Sequence, residues 1–193
     1  MEKSINMLEG TDISINGLSI KIKGPLGEIS KSFDDPRYSD IIIKKDDGKI
    51  TVYQNDENRK TRSMIGTIAA HIRNMMHGVT KGYTYEMKIV YKHFPMTVAV
   101  KEGQKDAHGV ADCSVQVKNF LGEKSIREVA VIGKSAVKID KESIIVTGID
   151  IEEVGQTAAN IERACKLRGR DRRVFQDGIF ITSRHTSKGV VKG

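Results

Sequence analysis

The chain has 193 residues, 38% of them hydrophobic and 30% charged, with 32 Lys and Arg against 25 Asp and Glu. That balance fits a globular protein with enough chain for one or two cored domains, and excludes low-complexity and membrane-embedded classes. The net charge of +7 and the pI near 9.3 point to a polyanionic partner.

The opening MEKSINMLEG carries acids and no apolar run, so no signal or transit peptide is expected. No stretch approaches the roughly 20 apolar residues of a membrane helix. Strands are predicted from residue 11 onward. Ile13-Ser14-Ile15 and Ser19-Ile20-Lys21-Ile22-Lys23 alternate apolar and polar, the pattern of a sheet with one wet face. Gly24-Pro25-Leu26-Gly27 is a turn. Ile41-Ile42-Ile43 and Ile50-Thr51-Val52-Tyr53 flank Asp46-Asp47-Gly48, a hairpin signature. A surface helix follows, with Met64 or Ile65, then Ile68, Ile72, Met75 and Val79 on one stripe and Arg59, Lys60, Arg62 and Arg73 mostly off it. Gly78 and Gly82 are expected to end it.

The second half starts with the strand-like YTYEMKIVY over 83–91, interrupted by His93-Phe94-Pro95. Thr97–Val100 reads as a strand, 102–112 as a polar loop, and 114–118, the stretch to Ile132, and 144–146 as further strands. Asp150 is the predicted cap of a second helix, with Glu153 as its capping-box partner. Val154, Ala158, Ile161 and Cys165 form its buried stripe, and Gly169 is its expected C-cap.

The two halves repeat. SIKIKGPLGE at 19–28 aligns with SVQVKNFLGE at 114–123, offset 95. Ile50-Thr51-Val52 aligns with Ile144-Ile145-Val146 at offset 94, and Ala69-Ala70-His71-Ile72 with Ala158-Ala159-Asn160-Ile161 at offset 89. Three matches in one order indicate tandem duplication of a small domain of antiparallel sheet plus one helix, an α+β fold. The expected organisation is a first domain over 1–82, a second over 83–169, and a basic C-terminal extension over 170–193.

That extension carries the charge. Residues 163–193 hold nine Lys or Arg and two Asp, whereas residues 1–162 balance at 23 of each sign. The candidate ligands for a phosphate-bearing polyanion are Arg168, Arg170, Arg172 and Arg173, whose guanidinium forks suit phosphates. Arg184, His185 and Lys188 extend the set, and Gly178 is expected to permit close approach of that partner. Phe175 has two readings, stacking on a splayed base or packing on the second domain; Val174 and Ile179 favour packing. Asn119 and Lys124 are secondary candidates, since the first copy lacks both. His93 reads as a structural loop residue. The final SRHTSKGVVKG is expected to order only on RNA.

Enzyme chemistry finds no motif. Gly133-Lys134-Ser135 resembles the end of a phosphate-binding loop, but Glu128 stands where its first Gly is required. The five histidines are scattered, Cys113 and Cys165 lack zinc spacing, and no nucleophile elbow is present. Neither a metal nor a cofactor is expected, and the cysteines suit reduced, intracellular thiols.

Four stretches, IKGPLGEISKSF (22–33), GVTKGYTYEMKIVYKHFP (78–95), KNFLGEKSIREV (118–129) and DRRVFQDGIFI (171–181), resemble large-subunit ribosomal protein six. The likeness is to its archaeal and eukaryotic branch, of the eukaryotic cytosolic type, and covers nearly the full chain. The resemblance implies a duplicated two-domain protein that binds large-subunit ribosomal RNA through the second domain and C-terminal stretch. The implied place is the elongation-factor region beside the sarcin–ricin loop. The family's RNA-contact motif maps onto Asp171, Arg172, Arg173, Phe175, Asp177, Gly178, Ile179 and Phe180. Asp46-Asp47-Gly48 departs from the more basic stretch expected there, which argues against RNA contact by that hairpin. Implied partners are the RNA and neighbouring ribosomal proteins, with no membrane and no small-molecule substrate. The implied location is the cytoplasmic ribosome, with nucleolar assembly in a eukaryote. The alternative is a non-ribosomal RNA-binding protein or an assembly chaperone.

Overall fold

A computed structural model describes residues 2–38, 40–46, 48–55, 58–101, 113–171, 173–186 and 189–192. The polar loop expected over 102–112, and Asp47 of the expected hairpin, lie outside the described residues. The chain divides into two compact units, Met1–Gly82 and Tyr83–Gly193.

In the first unit the strands are β1 (Glu2–Asn6), β2 (Asp12–Asn16), β3 (Ser19–Gly24), β4 (Gly27–Ser32), β5 (Ile42–Asp46) and β6 (Lys49–Tyr53), followed by helix α1 (Arg59–Lys81). Two antiparallel sheets result, in the orders β2-β3-β4 and β1-β6-β5. Alternation does what it predicts: Ile20, Ile22, Ile50 and Val52 are buried, while Lys21 and Lys23 are exposed. The helix turns Ile65, Ile68, Ile72, Met76 and Val79 into the same core, each fully buried side chain contributing ~1.5–3 kcal/mol. Gly78 does not end this helix but lies buried within it. Gly82 is the cap, at φ 72°, its N–H donating to the Gly78 carbonyl.

The second unit contains β7 (Tyr83–Val90), β8 (Thr97–Lys101), β9 (Ser114–Lys118), β10 (Arg127–Ala130), β11 (Ala136–Asp140), β12 (Ser143–Gly148), helix α2 (Ile151–Ala164), β13 (Gly178–Thr186) and β14 (Gly189–Lys192). Sheet β10-β9-β8 repeats β4-β3-β2, and the run β11-β12-β7 repeats β5-β6-β1. The fold is therefore α+β, built twice. The second copy adds β13 and β14 on the far edge of β7, making a five-stranded sheet. Residues 178–186 and 189–192 thus lie within the second unit's sheet, and these parts of the extension expected over 170–193 are not separate from that unit. The closing residues also differ from expectation: 183–186 and 189–192 are strand. Ile179 and Ile181 pair with Ile89 and Met87 across β7, and that apolar pairing sets the register for the polar residues that follow.

Helix α2 also ends early. Cys165, not Gly169, is its cap. Asp150 caps the start, accepting from the Glu152 N–H at 2.9 Å. Glu153 is not its capping-box partner, because its carboxylate instead accepts from the Lys134 N–H at 2.9 Å. An acid therefore sits on the Gly133-Lys134-Ser135 turn, where a phosphate loop would need an anion site.

Candidate nucleic-acid interface

Past Cys165 the chain crosses the end of α2 before entering β13. Arg168 and Arg170 are exposed on this crossing. A tight turn follows. The Asp171 carboxylate accepts from the Arg173 N–H at 2.9 Å, and the Asp171 carbonyl accepts from the N–H groups of Val174 (3.2 Å) and Phe175 (3.0 Å). Such Asx turns fix local backbone without a helix or sheet. Here the turn displays Arg173 outward and rotates Phe175 inward. Arg172 and Lys188 lie outside the described residues.

Phe175 is half-buried between two groups. The His93 ring lies 5.1 Å away, centroid to centroid, and the Arg170 guanidinium is 5.0 Å from the ring centre. Packing is thus the role the geometry gives Phe175, and it holds Arg170 by a cation–π contact. His93 packs against Phe175 here. Asp177 locks this arrangement. Its side chain is fully buried, and Oδ1 accepts from the Lys92 N–H at 2.9 Å and lies 3.7 Å from His93 Nδ1. Its Oδ2 is buried without a hydrogen-bond partner among the described residues.

Gly178 is buried, and a Cβ there would sit 3.1 Å from the Phe180 ring. The close approach it permits is by Phe180, not by an outside backbone. A groove of about 670 Å³ runs beside these residues, between the end of α2 and the start of β13, lined in part by Arg163, Lys166, Phe175, Asp177 and Phe180. Cys165 also lines it, and burial pushes its thiol up to about 11, so it stays protonated at neutral pH.

The loop joining β9 to β10 meets the same place. Asn119 has φ 59° and donates from Nδ2 to the Pro95 carbonyl at 3.0 Å. A Cβ on Gly122 would lie 3.2 Å from the Phe94 ring. The His93-Phe94-Pro95 segment therefore touches both the Asn119 loop and the Phe175 turn. Lys124 is exposed on that loop. Arg127, which sequence reading did not single out, fastens it. Its guanidinium donates to both Glu123 oxygens, at 2.9 and 2.6 Å, and to the Ala164 carbonyl, and lies 4.3 Å from the Phe120 ring centre. The hydrogen bond from Arg127 holds the Glu123 carboxyl below the usual glutamate range, with Arg170 adding to the effect. The spacing of four between Glu123 and Arg127 was the available signal.

Arg184 and His185 stand apart from this cluster, six or more residues along β13, roughly 20 Å at strand rise. The Arg184 guanidinium lies 5.9 Å from the Tyr85 ring centre. His185 Nε2 is 3.4 Å from Glu86 Oε1, and the Ser183 hydroxyl donates to the other Glu86 oxygen at 2.5 Å. An acid therefore competes with phosphate for His185.

The arrangement offers exposed guanidiniums on a rigid support, with Tyr91, Phe94, Val174 and Phe180 as exposed apolar neighbours. No helix is long and apolar enough to cross a membrane, and no group of metal-ligating side chains gathers, both among the described residues. A family model described as Ribosomal protein L6 matches residues 9–82 and 94–178. The chain is 47% identical over 180 residues to the large ribosomal subunit protein uL6 of Staphylothermus marinus, covering 93% of this chain and 92% of that one. It is 42% identical over 182 residues to the uL6 protein of Methanocella arvoryzae (94% and 96%), and 46% over 179 residues to that of Sulfurisphaera tokodaii (93% and 90%). These relatives are archaeal. With both copies of the repeat matched and relatives aligned almost end to end, the chain belongs to the Ribosomal protein L6 family.

Proposed function

We propose that this chain is a structural, non-catalytic component of the large ribosomal subunit that binds large-subunit ribosomal RNA and supports translation. The binding surface is the end of the second unit, with Arg168, Arg170 and Arg173 on phosphates, and Arg172 beside them in sequence. Asn119 and Lys124 border that surface, while Arg184 and His185 extend it along β13, with Lys188 following them in sequence. The observation that carries this reading is Arg170 held on the Phe175–His93–Asp177 support, with Arg168 and Arg173 exposed beside it in sequence. A pre-organised guanidinium loses little freedom on meeting phosphate. Recognition of double-helical RNA is then mostly of shape. The family likeness supports a site in the elongation-factor region beside the sarcin–ricin loop, with neighbouring ribosomal proteins around it.

The test is co-sedimentation with large subunits after a high-salt wash. Truncation would remove β13 from the sheet, so the variant is Arg168→Ala/Arg170→Ala/Arg173→Ala in the full chain. The expected result is near one copy per subunit for the native chain and loss of the variant. Full retention of the variant overturns the arginine site. A native chain far below one copy per subunit favours the accessory RNA-binding or chaperone role.

A further inference from the structure

The first unit carries a cationic surface of its own. Residues 1–58 hold eight basic and eleven acidic residues, whereas Arg59–Lys81 holds five Lys or Arg and neither Asp nor Glu. The rest of the unit is thus net acidic, and its positive charge in excess is carried entirely by α1. The duplicate helix shows that the fold does not demand this, for α2 carries three Glu and one Arg.

The charge also has a geometry. Ile65, Ile68, Ile72 and Val79 commit one side of α1 to the core. At 100° per residue, Arg62, Arg73, Arg59 and Lys81 fall on one stripe about 90–190° round the helix from that side, and all four are exposed. Gly66 lies on the same stripe, and nothing stands within 4 Å of the place its Cβ would take. The stripe is thus flat in the middle and cationic towards both ends, with Arg62 and Arg73 about 16 Å apart at helical rise. Among the described residues no carboxylate pairs with these four side chains. The neighbouring His77 is held below the usual histidine range by burial first and then by Lys81 and Arg73, a sign of positive potential at that end.

The exposed side offers no large apolar residue: none of the exposed large hydrophobics belongs to α1. Protein interfaces take most of their energy from buried aromatic and apolar anchors, so this face lacks what a protein partner would grip. It suits phosphates. Double-helical RNA presents a wide, shallow minor groove bordered by phosphates and 2′-hydroxyls, which a flat, small-residue centre can approach while arginines reach the strands on either side.

We propose that the outer face of α1 is a second RNA-binding surface, contacting phosphates on both sides of the minor groove of a double-helical RNA segment. The proposal rests on the RNA-binding reading above. The test titrates the full chain against deproteinised large-subunit ribosomal RNA over a range of salt. Arg62→Ala/Arg73→Ala is compared with the native chain and with Arg62→Lys/Arg73→Lys. Both side chains replaced are exposed, so folding is checked by circular dichroism and is expected to be unchanged. Loss of two phosphate contacts flattens the slope of log K against log salt by about 2, and the lysine pair restores it. An alanine pair with the native slope overturns the proposal. Native binding to RNA with reduced occupancy only in assembled subunits assigns the face to a protein neighbour, and also overturns it. If the native chain shows no salt-dependent binding, the RNA reading fails and takes this one with it. If the Arg168, Arg170 and Arg173 variant flattens the slope while the α1 pair does not, the α1 proposal alone fails.

Discussion

The same ten-residue stretch closes two different structures in the two copies. In the first, Gly24 pairs with Gly27 across the tight Pro25-Leu26 turn between β3 and β4. The turn lies against α1, with the Leu26 N–H donating to the Val79 carbonyl at 3.0 Å. In the second, Asn119, Leu121 and Gly122 all take positive φ, at 59°, 51° and 77°, and open the turn into a loop that runs to Arg127. Left-handed backbone at Asn119 and Leu121 costs roughly 1 kcal/mol or more each. Phe120, at the position of Pro25, offsets it by filling the core at 1% exposure. The second difference is at the sheet edge. Among the described residues β1 has one neighbour, whereas its counterpart β7 has two, the extra one being β13. Duplication supplied the framework; the second copy departs from it in the Asn119 loop, the His93 segment and the chain after α2. All three departures meet around Phe175.

Ending the chain after Lys166 should break the comparison most severely. It removes both β13 and β14 from the edge of β7 and deletes the buried Ile179. The expected outcome is collapse of amide protection in β7 and β12 with protection in β3 and β6 retained, read by hydrogen exchange. Protection of β7 at native levels would show that the second copy, like the first, is complete without the added strands. Asp177→Ala comes next. It strips the Lys92 N–H of its acceptor, and leaving a buried donor unpaired costs about 1–3 kcal/mol, read as a fall in Tm; Asp177→Asn retains an acceptor and should cost less. Gly24→Ala tests the turn itself. Its Cβ would lie 2.7 Å from Val79 Cγ2 and 2.9 Å from the Val79 carbonyl, so a loss of about 1–3 kcal/mol is expected from overpacking. Asn119→Gly at the equivalent site relieves a left-handed residue but loses the bond to Pro95, and a much smaller change is expected there.

Much of the framework was legible because its signals are local. Alternation at Ile20, Ile22, Val115 and Val117 placed strands, and the stripe from Ile65 to Val79 placed α1. The repeat then told which features serve the fold. The basic stretch was legible as a concentration of charge but not as a structure. Ser183 to Thr186 is polar throughout, so nothing nearby in sequence announces a strand; its register comes from pairing with β7, nearly a hundred residues away. Gly178 was read as room for RNA because a glycine beside arginines carries no mark of its neighbour, which is Phe180. The capping box at Asp150 failed for a similar reason, since Glu153 finds a better donor in the distant Lys134 N–H. Asp177 stands in the sequence as one residue of the family's RNA-contact motif, and only the fold reveals that it is buried under His93 and Lys92.

The smallest expected effect concerns the fastening of the Asn119 loop, and it separates loop from framework by pH. Arg127 holds the Glu123 carboxyl below the usual glutamate range, so the folded state favours the charged form more than the unfolded chain does. The linked stability is present above the ordinary glutamate pKa and is lost as pH falls below it through the depressed folded value. The Glu123 and Arg127 side chains are 38% and 28% exposed, so solvent screens the pair and about 1 kcal/mol is the scale expected. Glu123→Gln should therefore lower stability by that amount at neutral pH and by much less in strong acid, where the native chain has already lost the contribution. The measurement is urea unfolding of both chains across the acid range. Curves that stay parallel down to the lowest pH would mean that Arg127 is held by the Ala164 carbonyl and the Phe120 ring alone, with the Glu123 charge idle.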